Sequence, residues 1–70
     1  MALTARVEEK TVKVGDWVNF KSDVEQSGKI TKIEKKMYGT QLTLENQNGF
    51  DGGYIGGETT TWVDAEDCWL

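Results

Sequence analysis

The segment that decides the fold is VKVGDWVNFKSDVEQSGKITKI, which runs from Val12 to Ile33. Apolar and polar residues alternate through its first part, and the pattern is interrupted at Gly15 and Asp16. Alternation with a period of two predicts a β-strand over about residues 11–20, and a glycine within it indicates a bulge or a sharp bend. Residues 21–27 are mostly polar, so a loop is expected before the next strand.

A second strand is predicted from Gly28 to about Met37. Its apolar residues are Ile30 and Ile33, and their spacing of three breaks strict alternation, which predicts a twist or bulge near residues 31–32. The same residues, together with Met37, also fit one face of a helix. The β-branched side chains and the glycines that flank the segment favour the strand.

The rest of the sequence predicts two clear strands, a helical turn and a very short last strand. Residues 40–45 (TQLTLE) alternate cleanly, with Leu42 and Leu44 expected to face the core, and residues 59–63 (TTTWV) form the next strand. Residues 64–67 are predicted to make one helical turn capped by Asp64, with Ala65 inside it. Residues 68–70 would then close back on the sheet.

Length and composition limit what such a chain can do. Seventy residues support one domain, which we place at residues 11–70, with residues 1–10 as a flexible N-terminal arm from which Val7 could pair with a sheet edge. There is no histidine and only one cysteine, Cys68. An internal disulfide, a zinc site and Ser-His or Cys-His catalysis are therefore not expected, and neither an enzymatic activity nor a metal or cofactor is predicted.

Targeting signals are also absent from the pattern. No apolar run reaches the length of a signal peptide or of a membrane span, so no association with a membrane is expected. A lone cysteine is typical of a reducing compartment. The sequence therefore predicts a cytoplasmic protein.

The charges are unevenly distributed along the chain. The net charge is −4, yet residues 1–38 contain eight basic and six acidic side chains, while residues 39–70 contain six acidic and no basic ones. One interpretation is that distant segments pair as neighbouring strands with opposite charges facing each other. The other is a bipolar surface that steers binding partners.

Taken together, the elements resemble a single five-stranded SH3-like barrel with one short helical turn before the last strand. The pattern Gly15-Asp16-x-Val18-x-Phe20, followed by Gly28 and Ile30, is similar to the start of KOW modules and of the small ferredoxin-docking subunits of photosynthetic complexes. KOW modules use inner glycines and basic residues on RNA. Here residues 21–27 contain acidic Asp23 and Glu25 instead.

The glycine-rich loop, residues 46–58, is the first candidate binding site. It contains five glycines around Phe50, Tyr54 and Ile55. Glycines at this density are typical of a mobile recognition loop that presents apolar side chains to another protein. The alternative is that the three side chains fold over an open end of the barrel and belong to the core.

Two further candidates lie on the strands. Trp17 faces away from Val18 and Phe20, and a partly exposed tryptophan is either a binding hot spot or a cap on a small core. The basic residues of the second strand are the alternative site, for nucleic-acid phosphates, or they are solvated residues that protect a sheet edge. They are Lys29, Lys32, Lys35 and Lys36.

These observations predict a small, acidic, all-β binding module without catalytic activity. Its partner is expected to be another protein, bound through Trp17, Phe50, Tyr54 and Ile55. A nucleic-acid-binding barrel and a structural subunit of a homo-oligomer are the alternatives. Small accessory or regulatory proteins of bacteria and phages resemble this chain, so such an origin is an expectation from resemblance alone.

Overall fold

The computed structural model describes residues 3–52 and 55–70, and these residues form an all-β protein. They contain six strands in two antiparallel sheets and one short 3₁₀ turn. The elements are β1 (Thr4–Val7), β2 (Lys10–Lys13), β3 (Trp17–Ser22), β4 (Val24–Lys36), β5 (Gly39–Glu45), β6 (Thr60–Asp64) and the 3₁₀ turn (Ala65–Asp67).

Residues 4–13 form a hairpin. β1 pairs with β2 as a separate two-stranded sheet, with Val7 opposite Lys10. Ala5, Val7 and Val12 are buried in the core. Ala5 and Val7 alternate on β1, and Val12 of β2 is opposite Ala5, so the hairpin has one apolar face that packs on the core.

The turn of this hairpin offers a test of backbone strain. Glu8 and Glu9 both have positive φ, 52° and 68°. Side chains other than glycine pay about 1 kcal/mol or more in this left-handed region. We expect Glu9→Gly to stabilise the protein by about 0.5–1 kcal/mol in chemical denaturation, because the relieved strain outweighs the entropy that glycine adds to the unfolded chain.

Lys10→Gly is the matched control for this substitution. Lys10 is an exposed residue of β2, one position further along and outside the left-handed region. Glycine at this position should lower the stability, because glycine weakens a β-strand through its conformational entropy and its lack of a side chain. Equal losses in the two variants would contradict the strain argument.

The segment from Val12 to Ile33 is divided differently from the expected pattern. A turn at Gly15 separates β2 from β3: Gly15 has φ 102°, and Asp16 N–H donates to Lys13 O at 3.0 Å. The expected loop at residues 21–27 is absent, because β3 and β4 form a tight hairpin around Asp23. Its polar side chains lie along paired strands.

β4 is long and sharply bent. Its 13 residues would span about 40 Å if straight, whereas the longest dimension of the molecule is 32 Å. The register against β5 shifts between Ile30 and Lys32, which confirms the predicted bulge. Because of that extra residue, Ile30 and Ile33 both face the core despite their spacing of three.

The core lies between the four-stranded sheet, the hairpin of β1 and β2, and the 3₁₀ turn. Leu42 and Leu44 are fully buried, as predicted for β5. Phe20 and Phe50 meet edge to face with ring centroids 5.5 Å apart. The contact joins β3 to the glycine-rich loop.

The four-stranded sheet follows the order β3-β4-β5-β6 and does not close into a barrel within the described residues. The 3₁₀ turn occurs where a helical turn was predicted and Ala65 is buried, but the side chain of Asp64 makes no capping hydrogen bond. The expected last strand is reduced to a single bridge between Asn19 and Trp69. No helix in the described ranges has the length and apolar character needed to cross a membrane.

Candidate functional site

A groove of about 540 Å³ separates the outer edges of β3 and β6. We call it the edge groove. Ile55 and Val63, which are partly buried, contribute apolar surface to it, whereas Phe20 borders it but is only 1% exposed. Its other lining residues are Lys21, Ser22, Thr61, Trp62, Asp64 and Asp67. Its volume lies within the range of about 300–1,000 Å³ that is typical of ligand pockets.

On the β3 side of the edge groove, some backbone groups have no partner among the described residues. Asn19 N–H donates to Trp69 O at 2.7 Å, and Trp69 N–H donates to Asn19 O at 2.9 Å. The backbone N–H and C=O of Asn19 therefore both point away from β4. Since residues two apart along a strand point the same way, the N–H and C=O of Lys21 are also directed away from β4, on the side where the groove lies.

The β6 side is arranged in the same way. Asn46 N–H donates to Thr59 O at 2.9 Å, and the register continues with Leu44 opposite Thr61. Hydrogen-bonded pairs alternate with unbonded ones in an antiparallel ladder, so residue 62 is not bonded to β5. The N–H and C=O of Trp62 consequently point away from β5, toward the outer edge. No backbone partner for Lys21 or Trp62 is found outside the ladders in residues 3–52 and 55–70.

Trp62 is a residue that the sequence reasoning did not select. It is 63% exposed, more than Trp17 at 54%. The signal was present in the alternation of TTTWV: Val63 packs against the core, so its neighbour Trp62 must lie on the opposite face. An exposed indole beside an apolar groove is the type of side chain that dominates protein interfaces.

One end of the edge groove is acidic. Asp64 and Asp67 line it, against a single lysine, Lys21. Their effect is visible on the neighbouring Cys68 thiol, whose pKa is raised to about 11, first by burial and then by the charges of Asp67 and Asp64. Cys68 is a buried free thiol, and its Sγ donates to Asp64 O.

Trp17 lies in a second, smaller depression of about 290 Å³. The other lining residues are Lys29, Glu45 and residues 46–48. Lys29 is opposite both Trp17 and Glu45 in the sheet register. The indole is therefore exposed, as the alternation predicts, but its surroundings are polar.

The glycine-rich loop covers part of the core. Phe50 is 2% exposed, and Ile55 is half-buried against the core while also lining the edge groove. Gln26 holds the loop through two hydrogen bonds to the Asp51 backbone, at 2.8 and 2.9 Å. The alternative in which these apolar side chains fold over the core therefore describes Phe50 and Ile55. The prediction for Tyr54 lies outside the described residues.

The four lysines of β4 do not form one basic patch. Glu34 lies between Lys32 and Lys36, with N–O distances of 3.5 and 3.2 Å. The pKa of Glu34 is lowered, first by the hydrogen bond from Lys36 and then by the charge of Lys32. Lys35 has the opposite orientation to both in the strand alternation, and Lys29 is opposite Glu45. A nucleic-acid role for these lysines stays a prediction.

The turn between β2 and β3 is stabilised by the carboxylate of Asp16. Lys13 N–H donates to Asp16 Oδ2 at 2.9 Å. That hydrogen bond is the main reason why the pKa of Asp16 lies below its ordinary value of 3.8, and the Lys13 ammonium adds to it. A carboxyl whose pKa is lowered in the folded state stabilises the protein above its unfolded pKa, and this contribution is lost as the pH falls.

We expect Asp16→Asn to flatten the dependence of stability on pH in the acidic range. Wild-type protein should lose stability as the pH falls from about 4 through the lowered pKa of Asp16, and the variant should lose less over the same interval. Thermal melting at a series of pH values measures the difference. Glu25→Gln, at an exposed position of β4, is the charge-matched control and should keep the wild-type dependence of stability on pH. Identical slopes for Asp16→Asn and wild type would contradict the assignment.

In the part of the chain that the structure describes, no group of three acidic or cysteine side chains is arranged to hold a metal ion. Comparison with known proteins gave no relative: neither a protein-family model, nor a curated protein, nor a solved structure matched the chain. Function is therefore inferred from the geometry of the two depressions.

Proposed function

We propose that this chain is a non-catalytic protein-binding module of SH3-like architecture and that it binds through the edge groove. The observation that carries the proposal is the groove itself. It combines an exposed indole at Trp62, apolar surface from Ile55 and Val63, and strand edges on both sides that have no backbone partner among the described residues. Apolar clefts with a few directed polar groups are the usual binding sites of small domains.

The SH3-like part of the proposal is supported by the order of elements after β2. Four sequential antiparallel strands lead into a 3₁₀ turn, and the chain then returns to the first of those strands through the bridge between Asn19 and Trp69. This is the connectivity that the sequence resemblance implies. The hairpin of β1 and β2 is an addition to the five-stranded pattern.

A protein partner agrees better with the charges than a nucleic acid does. The edge groove has two carboxylates and one ammonium group among its lining side chains, and Glu34 partly neutralises the lysines of β4. Nucleic-acid-binding domains display a concentrated basic surface. We place the protein in a reducing compartment such as the cytoplasm, since Cys68 is a free thiol.

Selection from a displayed library of random peptides against the full chain tests the proposal. We expect enrichment of peptides that bind the wild-type protein. Trp62→Ala should weaken binding by tenfold or more, because a central tryptophan often contributes more than about 1.4 kcal/mol to an interface. Fluorescence anisotropy of a labelled peptide measures the affinity.

Tyr38→Ala and Trp17→Ala are the controls. Tyr38 is 79% exposed at the turn between β4 and β5, so its removal should leave both affinity and melting temperature unchanged. Loss of binding in Trp17→Ala but not in Trp62→Ala would move the site to the second depression. Salt-sensitive binding of a mixed-sequence oligonucleotide, without any peptide binding, would overturn the proposal in favour of the nucleic-acid alternative.

A further inference from the structure

We infer that the edge groove takes up an extended peptide strand with alternating apolar and basic side chains, which hydrogen-bonds through its backbone to both β3 and β6. This inference deepens the proposed function and depends on it. It specifies the conformation of the partner segment and the chemistry of its side chains.

The first argument is that two strand edges beside the groove have no backbone partner in the described part of the chain. The backbone groups of Lys21 point outward from β3 and those of Trp62 point outward from β6, as derived above from the bonds of Asn19 and Asn46. An extended chain can satisfy groups on both of its sides, because its own N–H and C=O groups alternate in direction. An added strand would complete the sheet that the described residues leave open.

The second argument is the direction of the side chains. Consecutive residues of a strand face opposite sides, so every other side chain of the added strand would contact the partly exposed apolar side chains of Ile55 and Val63. The remaining side chains would lie on the outer face, which is also the face of Trp62 and, two residues on, of Asp64. The inner positions are therefore apolar.

The third argument is charge. Asp64 and Asp67 line one end of the groove, and residues 39–70 contain six acidic and no basic side chains. A lysine on the outer face of the added strand can pair with Asp64 and pack on the exposed indole of Trp62, a contact that favours cations. Acidic outer residues would be repelled. A second copy of this acidic chain is for the same reason a poorer occupant than a basic segment.

The test uses a defined probe, an eight-residue peptide in which valine alternates with lysine, added to the ¹⁵N-labelled full chain. We expect amide shifts on both sides of the groove, and at least about tenfold slower hydrogen exchange at the amides of Lys21 and Trp62, since they become hydrogen-bonded. A peptide in which valine alternates with glutamate should bind at least about tenfold more weakly.

Backbone methylation separates strand pairing from simple side-chain contact. A single N-methyl group on a central valine removes a donor toward one edge, and one on a central lysine removes a donor toward the other. Each should weaken binding by about tenfold. Equal affinity of the methylated and unmodified peptides, with unchanged exchange at Lys21 and Trp62, would overturn strand addition while leaving a peptide-binding module intact.

Protein variants test the charge argument. Asp64→Asn with Asp67→Asn should lower the affinity for the valine–lysine peptide and reduce its dependence on salt, whereas Glu45→Gln, beside the other depression, should do neither. If neither the probe nor any library peptide binds, the proposed function fails as well. Concentration-dependent shifts without peptide would show self-association and would overturn the assignment of a basic partner.

Discussion

Replacing Phe50 by alanine is expected to destabilise the protein by about 3–5 kcal/mol. For a domain of this size, a loss that large would leave most molecules unfolded. The ring is 2% exposed and makes the edge-to-face contact with Phe20. Its backbone also fixes the glycine-rich loop, since Phe50 N–H donates to Glu58 O at 2.7 Å and Gly57 N–H donates to Phe50 O at 2.9 Å. The cavity would therefore open where the loop is anchored.

Chemical denaturation and near-ultraviolet circular dichroism measure this effect. Tyr38→Ala removes an exposed aromatic ring and should change stability by less than about 0.5 kcal/mol, which makes it the matched control. The result also decides the role of Phe50 in binding. If Phe50 were a recognition residue, its replacement by alanine would lower the affinity for a partner and leave the stability unchanged. A Phe50→Ala protein as stable as wild type would contradict the position of Phe50 in the core.

Gly28→Ala is expected to destabilise the protein by about 1–3 kcal/mol through overpacking. A Cβ atom at this position would come within 2.9 Å of Leu44 Cβ and 3.3 Å of two atoms of the Phe50 ring. The backbone of Gly28 is not in the left-handed region, so the cost comes from lack of space alone. The absence of a side chain at Gly28 allows the Phe50 ring to pack against β4.

Ser27→Ala, one residue earlier on β4, is the control for Gly28→Ala and should be nearly neutral in chemical denaturation. A second measurement tests the mechanism. In the double variant Gly28→Ala with Phe50→Leu, the smaller side chain should give the new methyl group room. The two losses should then sum to more than the loss in the double variant. Strict additivity would show that the Phe50 ring does not contribute to the exclusion of a side chain at residue 28, which would then come from Leu44 alone.

The sequence was sufficient where local pattern determines structure. The alternation around Leu42 and Leu44 predicted β5, and the spacing of Ile30 and Ile33 predicted the bulge in β4. Ala65 was also placed correctly inside a helical turn. Each of these features depends on residues that lie close together in the sequence.

The hairpins escaped prediction for a different reason. Glu8 and Glu9 carry no turn signal, yet they adopt positive φ because the pairing of β1 with β2 holds them there. The residues after Lys21 are polar because that hairpin is largely exposed, and exposed strands can be rich in polar residues. Tertiary pairing overrides local preference in both places.

The edge groove could not have been found in the sequence. Alternation places the Trp62 side chain on the outer face, but it does not show that β3 lies across from β6 or that neither edge has a backbone partner within residues 3–52 and 55–70. That arrangement is a property of strands separated by about 40 positions in the chain. Phe50 was selected because it lies in the glycine-rich loop, and Trp17 because it faces away from Val18 and Phe20; the same alternation at Trp62 was not used.

The bulge between Ile30 and Lys32 is a position where β4 can lose one residue without turning its core residues outward. Deleting residue 31 would leave Ile30 and Ile33 two positions apart, so both would still face the core, but the bend that the bulge gives to β4 would be lost. Insertions near Met37 and Tyr38 are different, because the ladder tolerates residues added in matched pairs, one on each strand. The protruding end of this hairpin can therefore change length between related chains while the core remains the same.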